Sequence, residues 1–345
     1  MSNAALDSLA YTNALYERVT PALAYPGGGR DRVASWKVTA RAKLTELLGI
    51  TPSEMVPLQA EIGCPVEKTG YTRRAVTYNT RPGLTAFGYL LVPNGLKGRA
   101  PAIVCIPGHG RGVDDLVGIT EDGSERDRKD GYQHDFAIQC VERGFVTMAI
   151  EPIGFGHRRD PAARKAGPDA SSCQPAAGAA LMLGETMLGW RVWDAIRTLD
   201  FLETRPEVDP GRMAMIGISG GGTVALDAAA LDERIKATVL SCSFCSFRDS
   251  IYTISHCIDN YVPGILRWFE VADIAGLIAP RALFAENGVL DPIFPESGVR
   301  AALKETERIY ADQGVVGRVD HHLFEGGHVF NGIQAFPRLA EWLDA

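Results

Sequence analysis

The chain has no apolar run approaching the ~18 residues that cross a bilayer, no cluster of lysines and arginines, and no internal repeat. The first absence argues against a helical membrane protein, and no membrane partner is expected. The second, together with a net charge of −7, argues against a nucleic-acid partner, whose phosphates must be met by clustered cations. The third argues against a propeller domain. Residues 1–14 offer no basic segment followed by an apolar core, so no secretory leader is expected there. Cysteine is sparse and odd in number: Cys64, Cys105, Cys140, Cys173, Cys242, Cys245 and Cys257. Several sit within apolar patterns, which predicts mostly buried, unpaired thiols in a cytoplasmic protein.

What is present is ordinary in amount and informative in order. The 345 residues are 46% hydrophobic and 22% charged, enough for one large α/β domain with additions. Residues 6–48 read as helical with a break at Tyr25-Pro26-Gly27-Gly28-Gly29. Val33, Trp36, Ala40, Leu44 and Leu47 give the second half an apolar stripe. Two strand-like runs, 73–78 and 86–92, flank the turn residues Arg81-Pro82-Gly83, so an antiparallel pair is expected. Beyond them, apolar strands at 102–106, 146–150, 213–218, 237–240 and 282–285 alternate with helical stretches at 136–143, 188–203 and 297–312. That alternation predicts a doubly wound, mainly parallel sheet covered on both faces. Three connections, 111–132, 157–180 and 243–272, are too long for simple turns and read as lids or binding segments.

Gly217-Ile218-Ser219-Gly220-Gly221 follows the apolar strand at 213–216 and opens a helix of small residues. A serine at such a strand-to-helix turn is a nucleophile elbow, its hydroxyl held out of the sheet. Serine then needs a base and an orienting carboxylate from the carboxyl ends of later strands. Asp291 lies just past the strand at 281–285, on a loop held by Pro292 and Pro295, with Glu286 and Glu296 as rivals. Of the histidines after it, His321 and His322 lie within a strand; His328 follows a Gly-Gly pair on the last loop and is the expected base. The order Ser219, Asp291, His328 is that of α/β-hydrolases. Backbone N–H groups of Gly220 and of His109, in the turn Pro107-Gly108-His109-Gly110-Arg111-Gly112, are the expected oxyanion donors.

On these residues the chain resembles the α/β-hydrolase superfamily over roughly 71–345. More narrowly it resembles the dienelactone-hydrolase and acetyl-xylan-esterase-like branch, through Pro107-Gly108-His109-Gly110, Gly154-Phe155-Gly156-His157-Arg158, Ile278-Ala279-Pro280-Arg281 and the N-terminal helical extension. Two departures stand out. Pro107 occupies the place where many relatives have histidine, and the nucleophile is Ser219 where dienelactone hydrolases proper use cysteine.

The resemblance implies an extension at 1–60, a catalytic domain at 61–345 and a cap at 243–272. It further implies two-step acyl transfer on carboxylic esters with no cofactor. The cap segment holds Phe244, Phe247, Tyr252, Tyr261, Trp268 and Phe269, which predicts a restrictive pocket and short acyl groups, acetyl first, on a saccharide or small metabolite. Phe155, Trp190, Phe247 and His256 are the expected pocket residues. Cys242-x-x-Cys245 with His256-Cys257 offers zinc-type ligands, but its apolar surroundings favour buried thiols, so no metal is expected. A peptidase or amidase, a thioesterase, and a catalytically silent binding protein of the same fold are the alternatives. A homo-oligomer stays open.

Overall fold

The computed structural model describes residues 6–52, 55–126, 129 and 131–344. Part of the 111–132 connection therefore falls outside the described residues. Ten strands among them form one sheet: β1 (Glu61–Ile62), β2 (Val66–Lys68), β3 (Tyr71–Arg81), β4 (Leu84–Pro93), β5 (Ala100–Ile106), β6 (Val146–Ile150), β7 (Val208–Ile218), β8 (Ile235–Ser241), β9 (Ala282–Gly288) and β10 (Val319–Phe324). Their order is β1-β3-β4-β6-β5-β7-β8-β9-β10, with β2 on β3. From β6 to β10 every pairing is parallel, while β4 runs antiparallel to both β3 and β6. This is the doubly wound, mainly parallel sheet the alternation predicts.

The helices are α1 (Ser8–Tyr16), α2 (Arg30–Leu48), α3 (Phe136–Val141), α4 (Pro161–Ala166), α5 (Cys173–Met182), α6 (Met187–Glu203), α7 (Gly220–Leu231), α8 (Val271–Ile278), α9 (Glu296–Asp312) and α10 (Ala335–Trp342). Strands β5, β6 and β9 are buried along their whole length, as a parallel strand covered on both faces must be. Alternate residues of β5 serve opposite faces. Ala102, Val104 and Ile106 join a core with α2, α6, α7, α8 and α9; Ile103 and Cys105 join one with α3 and α10.

Three local readings need adjustment. The break expected at Tyr25–Gly29 is present but wider, running from the end of α1 at Tyr16 to Arg30, and Tyr25 in it packs its ring edge-on against Trp36, 5.3 Å between centroids. The buried stripe of α2 ends on Leu48, leaving Leu47 half-buried. The connection 157–180 contains α4 and most of α5. Its start carries a legible signal, Asp160 accepting from the Ala163 N–H with Pro161 in the first turn.

Segment 243–270 runs from the end of β8 to α8. Phe247, Tyr252, Tyr261 and Ile265 form one wall of a groove whose other wall is Leu15, Tyr16 and Val19 at the end of α1. Tyr16 donates to Glu270 at 2.8 Å, Tyr252 donates to the Thr12 carbonyl at 2.6 Å, and the Leu23 N–H donates to the Trp268 carbonyl at 3.0 Å. The N-terminal helices are thus tied to the segment that follows β8.

Helix α7 is buried from Gly220 to Ala230, and Asp227 lies on it beside a small cavity with Thr223, Ser243 and Phe294. Burial alone pushes the Asp227 carboxyl up to about 7. The unfolded chain releases this proton near pH 4 and the folded chain only near 7, so stability is lost as pH rises between those values. Asp227→Asn should match the wild type at pH 4 and be more stable by about 2–4 kcal/mol above pH 7. Urea titrations at both pH values check this; an equal difference at both would rule out titration of Asp227 as the cause.

Candidate active site

Ser219 follows the last residue of β7 with φ +56° and ψ −127°, a left-handed conformation unusual for a residue bearing a Cβ. Such a backbone costs about 1–3 kcal/mol and is kept only where its surroundings enforce it. Here the flanking glycines enforce it. A Cβ on Gly217 would lie 2.1 Å from the Gly221 carbonyl oxygen, and one on Gly221 would lie 2.2 Å from the Ile106 carbonyl oxygen. Only bare backbone fits on either side of this turn. The Ser219 N–H donates to the Ser241 carbonyl at 2.9 Å, anchoring the elbow to β8.

Asp291 and His328 stand past the carboxyl ends of β9 and β10, two strands paired in parallel. His328 Nδ1 lies 2.7 Å from Asp291 Oδ2, and the Asp291 side chain is fully buried. The other Asp291 oxygen accepts from the Ile293 N–H at 2.8 Å, which fixes the carboxylate. The His328 ring lies between two others, stacked on Tyr132 at 5.5 Å and on Phe294 at 5.8 Å.

The rivals are occupied elsewhere. Glu286 accepts from the Ser241 hydroxyl and from the Asn331 and Gly332 N–H groups. Glu296 pairs with Arg300, His321 with Glu307, and the His322 ring tilts against Phe324.

The turn after β5 approaches the elbow at backbone distance. A Cβ on Gly108 would sit 2.9 Å from Ser219 Cβ and 2.3 Å from the Tyr132 hydroxyl. Tyr132 donates to the His109 carbonyl at 2.6 Å, and Gln133 accepts from the Gly108 N–H at 3.0 Å. These two residues pin the turn. A second clamp lies deeper. The buried Glu151, at the end of β6, accepts from the Val113 and His157 N–H groups, both at 3.2 Å. Gly112 and Gly156 leave room for it: a Cβ on either would lie 1.9 or 2.2 Å from its carboxyl oxygens. Burial pushes the Glu151 carboxyl up to about 7 against the effect of those donors.

The His109 side chain meets a buried ion cluster. Its Nε2 lies 3.3 Å from Asp259, which also pairs with Arg191; Arg191 in turn donates to Cys173 at 3.2 Å. Burial of the His109 ring opposes its charge, but the bonds to Asp259, Cys173 and Cys257 and the Asp259 charge outweigh it. The imidazolium is raised to about 11. His109, Cys173 and Asp259 have the spacing of a metal triad, yet a guanidinium already contacts two of the three. Cys242 lies within 4.8 Å of the Asp291 and His328 ligand atoms, and burial pushes its thiol up to about 12, so it stays protonated at neutral pH.

A family model of the Abhydrolase family matches residues 5–308. The chain belongs to the Abhydrolase family. It is 30% identical over 313 residues to the Bacillus subtilis protein "Putative hydrolase YtaP", covering 88% of this chain and 98% of that one. Among solved structures it is similar to a "putative acetyl xylan esterase" of Bacteroides fragilis, with TM-score 0.78, 19% identity, and 92% and 82% of the two chains covered. It is also similar to a glucuronoyl esterase of Solibacter usitatus, with TM-score 0.65, 17% identity, and 94% of each chain covered. The sheet and its helices are the α/β-hydrolase fold.

Not every residue singled out in this Abhydrolase chain gathers at the elbow. Phe155 does: its ring is edge-on to His109 at 4.6 Å. His256 does too, edge-on to Phe294 at 5.6 Å, one ring away from His328. Trp190 hydrogen-bonds Glu185, and Phe247 lines both the groove beside α1 and the small cavity with Ser243 and Phe294. The cysteines whose spacing is of the zinc type separate: Cys245 approaches the Pro295 carbonyl, Cys242 the Val329 carbonyl, and Cys257 is exposed. Tyr132, Gln133, Glu151, Arg191 and Asp259 are absent from the sequence reading. Only Glu151 carries a signal, a charge directly after an apolar strand and three residues before Gly154.

The close approach of Gly108 gives a direct test. Gly108→Ala should displace the turn from Ser219, lower stability by about 1–3 kcal/mol through overpacking, and reduce fluorophosphonate labelling of the protein. Gly178→Ala is the control: in α5, with nothing within 4 Å of its Cβ, it should leave labelling unchanged and stability equal or higher. Labelling of Gly108→Ala at the wild-type rate would show that the turn takes no part.

Proposed function

We propose that the protein is a serine hydrolase of carboxylic esters acting by two-step acyl transfer. The observation that carries this reading is the 2.7 Å pair of His328 Nδ1 and Asp291, set past the ends of β9 and β10 in the same parallel sheet whose β7 ends at a serine held at positive φ. In this reading His328, its tautomer fixed by Asp291, takes the Ser219 proton through Nε2 as Ser219 attacks the ester carbonyl. The backbone N–H groups of Gly220 and His109 receive the oxyanion, each donor contributing about 3 kcal/mol. His328 then protonates the departing alcohol, and a water activated by the same imidazole releases the acid.

Support for esters comes from the fold neighbours, which include an acetyl xylan esterase of Paenibacillus and glucuronoyl esterases. A catalytically silent binding protein is disfavoured by the survival of every part together: elbow, acid, base and turn. A peptidase, amidase or thioesterase uses the same parts, and a substrate panel separates them.

We take residues 61–345 as the catalytic body, 1–60 as an extension on it, and 243–272 as the cap. Within that cap the stretch around His256 and Asp259 faces the site, while Phe247, Tyr252 and Tyr261 face α1. A cap brought this close to His109 leaves short acyl groups as the expected substrates. Among the described residues no helix is long and apolar enough to cross a membrane. All seven cysteines are unpaired, which supports a reducing compartment, the cytoplasm.

Ser219→Ala should leave the fold intact, lower kcat on 4-nitrophenyl acetate by about 10⁴-fold or more, and remove fluorophosphonate labelling. His328→Ala and Asp291→Asn should each lower kcat by about 10³-fold or more with a smaller change in KM. Labelling that survives in Ser219→Ala would move the nucleophile elsewhere. Across an acyl series, kcat/KM should fall from acetyl to decanoyl by at least about tenfold, since each misfitted group loses ~1–3 kcal/mol. A flat series would remove the restrictive cap.

A further inference from the structure

The buried cluster beneath His109 has a charge ledger that the ester chemistry does not use. One carboxylate, Asp259, is shared by two cations, Arg191 and the His109 imidazolium. Arg191 spends its remaining donors on the Ile153 carbonyl and Cys173. Its face is closed by Phe155, 4.4 Å from guanidinium carbon to ring centroid. The cluster therefore carries one net positive charge.

Exposure decides where that charge is presented. The side chains of Asp259 and Arg191 are 0% and 3% exposed, while that of His109 is 29% exposed. Only His109 can offer the excess charge to a ligand. The direction is also set. Nε2 is engaged by Asp259, and Nδ1 lies 3.7 Å from where a Cβ on Gly220 would be. That is the residue directly after Ser219.

The other groups around this ring do not cancel the charge. His256 is kept neutral by burial, which lowers its pKa, and its Nε2 is buried without a hydrogen-bond partner among the described residues. Cys173 lies beside the ring, its sulfur 3.9 Å from His109 Nε2. Asp291 is engaged by His328 and the Ile293 N–H, and Asp115 by Arg111. A net cation in a largely dry site is costly unless an anion meets it, and a charge-assisted hydrogen bond is worth roughly twice a neutral one.

We propose that the His109 side chain is a specificity-determining contact for a carboxylate carried by the ester substrate close to its scissile bond, with Asp259 and Arg191 as the residues that hold it charged and in place. This rests on the reading of Ser219 as the nucleophile. The substrate class is then an ester of an acidic molecule, such as a hydroxy acid acylated on its hydroxyl or the monoester of a dicarboxylic acid. His256, with a free Nε2, is placed to contact the same ligand.

The test separates the anion from the chemistry. Benzoate and benzamide, matched in shape and differing in charge, are titrated into the full-length wild-type protein by calorimetry. Benzoate should bind at least about tenfold more tightly, and it should slow fluorophosphonate labelling of Ser219 where benzamide does not. His109→Gln and Asp259→Asn should each abolish the difference, with folding checked by their melting curves. On substrates, kcat/KM for 2-acetoxybenzoate should exceed that for 2-acetoxybenzamide by a similar factor, and by less at high salt. Equal binding of benzoate and benzamide to the wild type, or no binding of benzoate, overturns the proposal. So does a preference for benzoate that survives in a folded His109→Gln. Because binding is read without turnover, loss of ester hydrolysis with benzoate selectivity intact would fault the nucleophile assignment and leave the anion contact standing.

Discussion

One buried carboxylate holds the Ser219 end of the sheet together. Glu286, near the end of β9, accepts from Ser241 at the tip of β8 and from the N–H groups of Asn331 and Gly332, just past His328. Its own carbonyl accepts from the Cys242 N–H, and Ser241 in turn receives the Ser219 N–H. A single acidic side chain thus links the elbow strand, its neighbour and the loop of the expected base. Burial raises its pKa, so its three donors are what reconcile a carboxyl with an apolar sheet end. Replacing it with an apolar residue would orphan two backbone N–H groups at the point where geometry must be tightest.

The parallel sheet decides which residues can meet. Strand ends are spaced by one hydrogen-bonded strand width, about 4.8 Å. Loops leaving β7, β9 and β10 therefore converge although Ser219, Asp291 and His328 are far apart in sequence. The turn after β5 enters from the other side of β7, and glycine at position 108 lets backbone meet backbone there. Glu151 extends the arrangement to β6, gripping two glycine-lined turns at once. The site is assembled from backbone positions that tolerate almost no added atoms, and the few reactive side chains are laid onto that frame.

The sheet, its order of strands and helices, and the elbow were legible because each is a local pattern. Apolar runs mark the central strands, and glycines around Ser219 mark a turn only bare backbone can make. His328 and Asp291 were legible by position after a strand. What escaped was tertiary pairing between distant polar residues. Nothing near Asp259 announces a partner at Arg191, 68 positions away. Tyr132 and Gln133 look like any polar pair in a long connection until they close on the turn at Gly108. The aromatic segment after β8 was visible as a feature, but not its division of labour. Aromaticity alone does not say which side of a helix or loop faces the serine, and Phe247 lines both the groove beside α1 and the small cavity with Ser243 and Phe294.

The ties between the first helix and the segment after β8 also bear on the order in which the chain can be built. Tyr16 and Glu270 are 254 positions apart, and Thr12 and Tyr252 are 240 apart. Loop-closure entropy grows with such separations, and contacts of this kind reward the chain only after most of the sheet exists. On a ribosome, α1 emerges well before β8 and its following segment and waits until they have been made. The α1 wall of the groove beside Phe247 and Tyr252 is therefore a segment that spends most of synthesis without its partner.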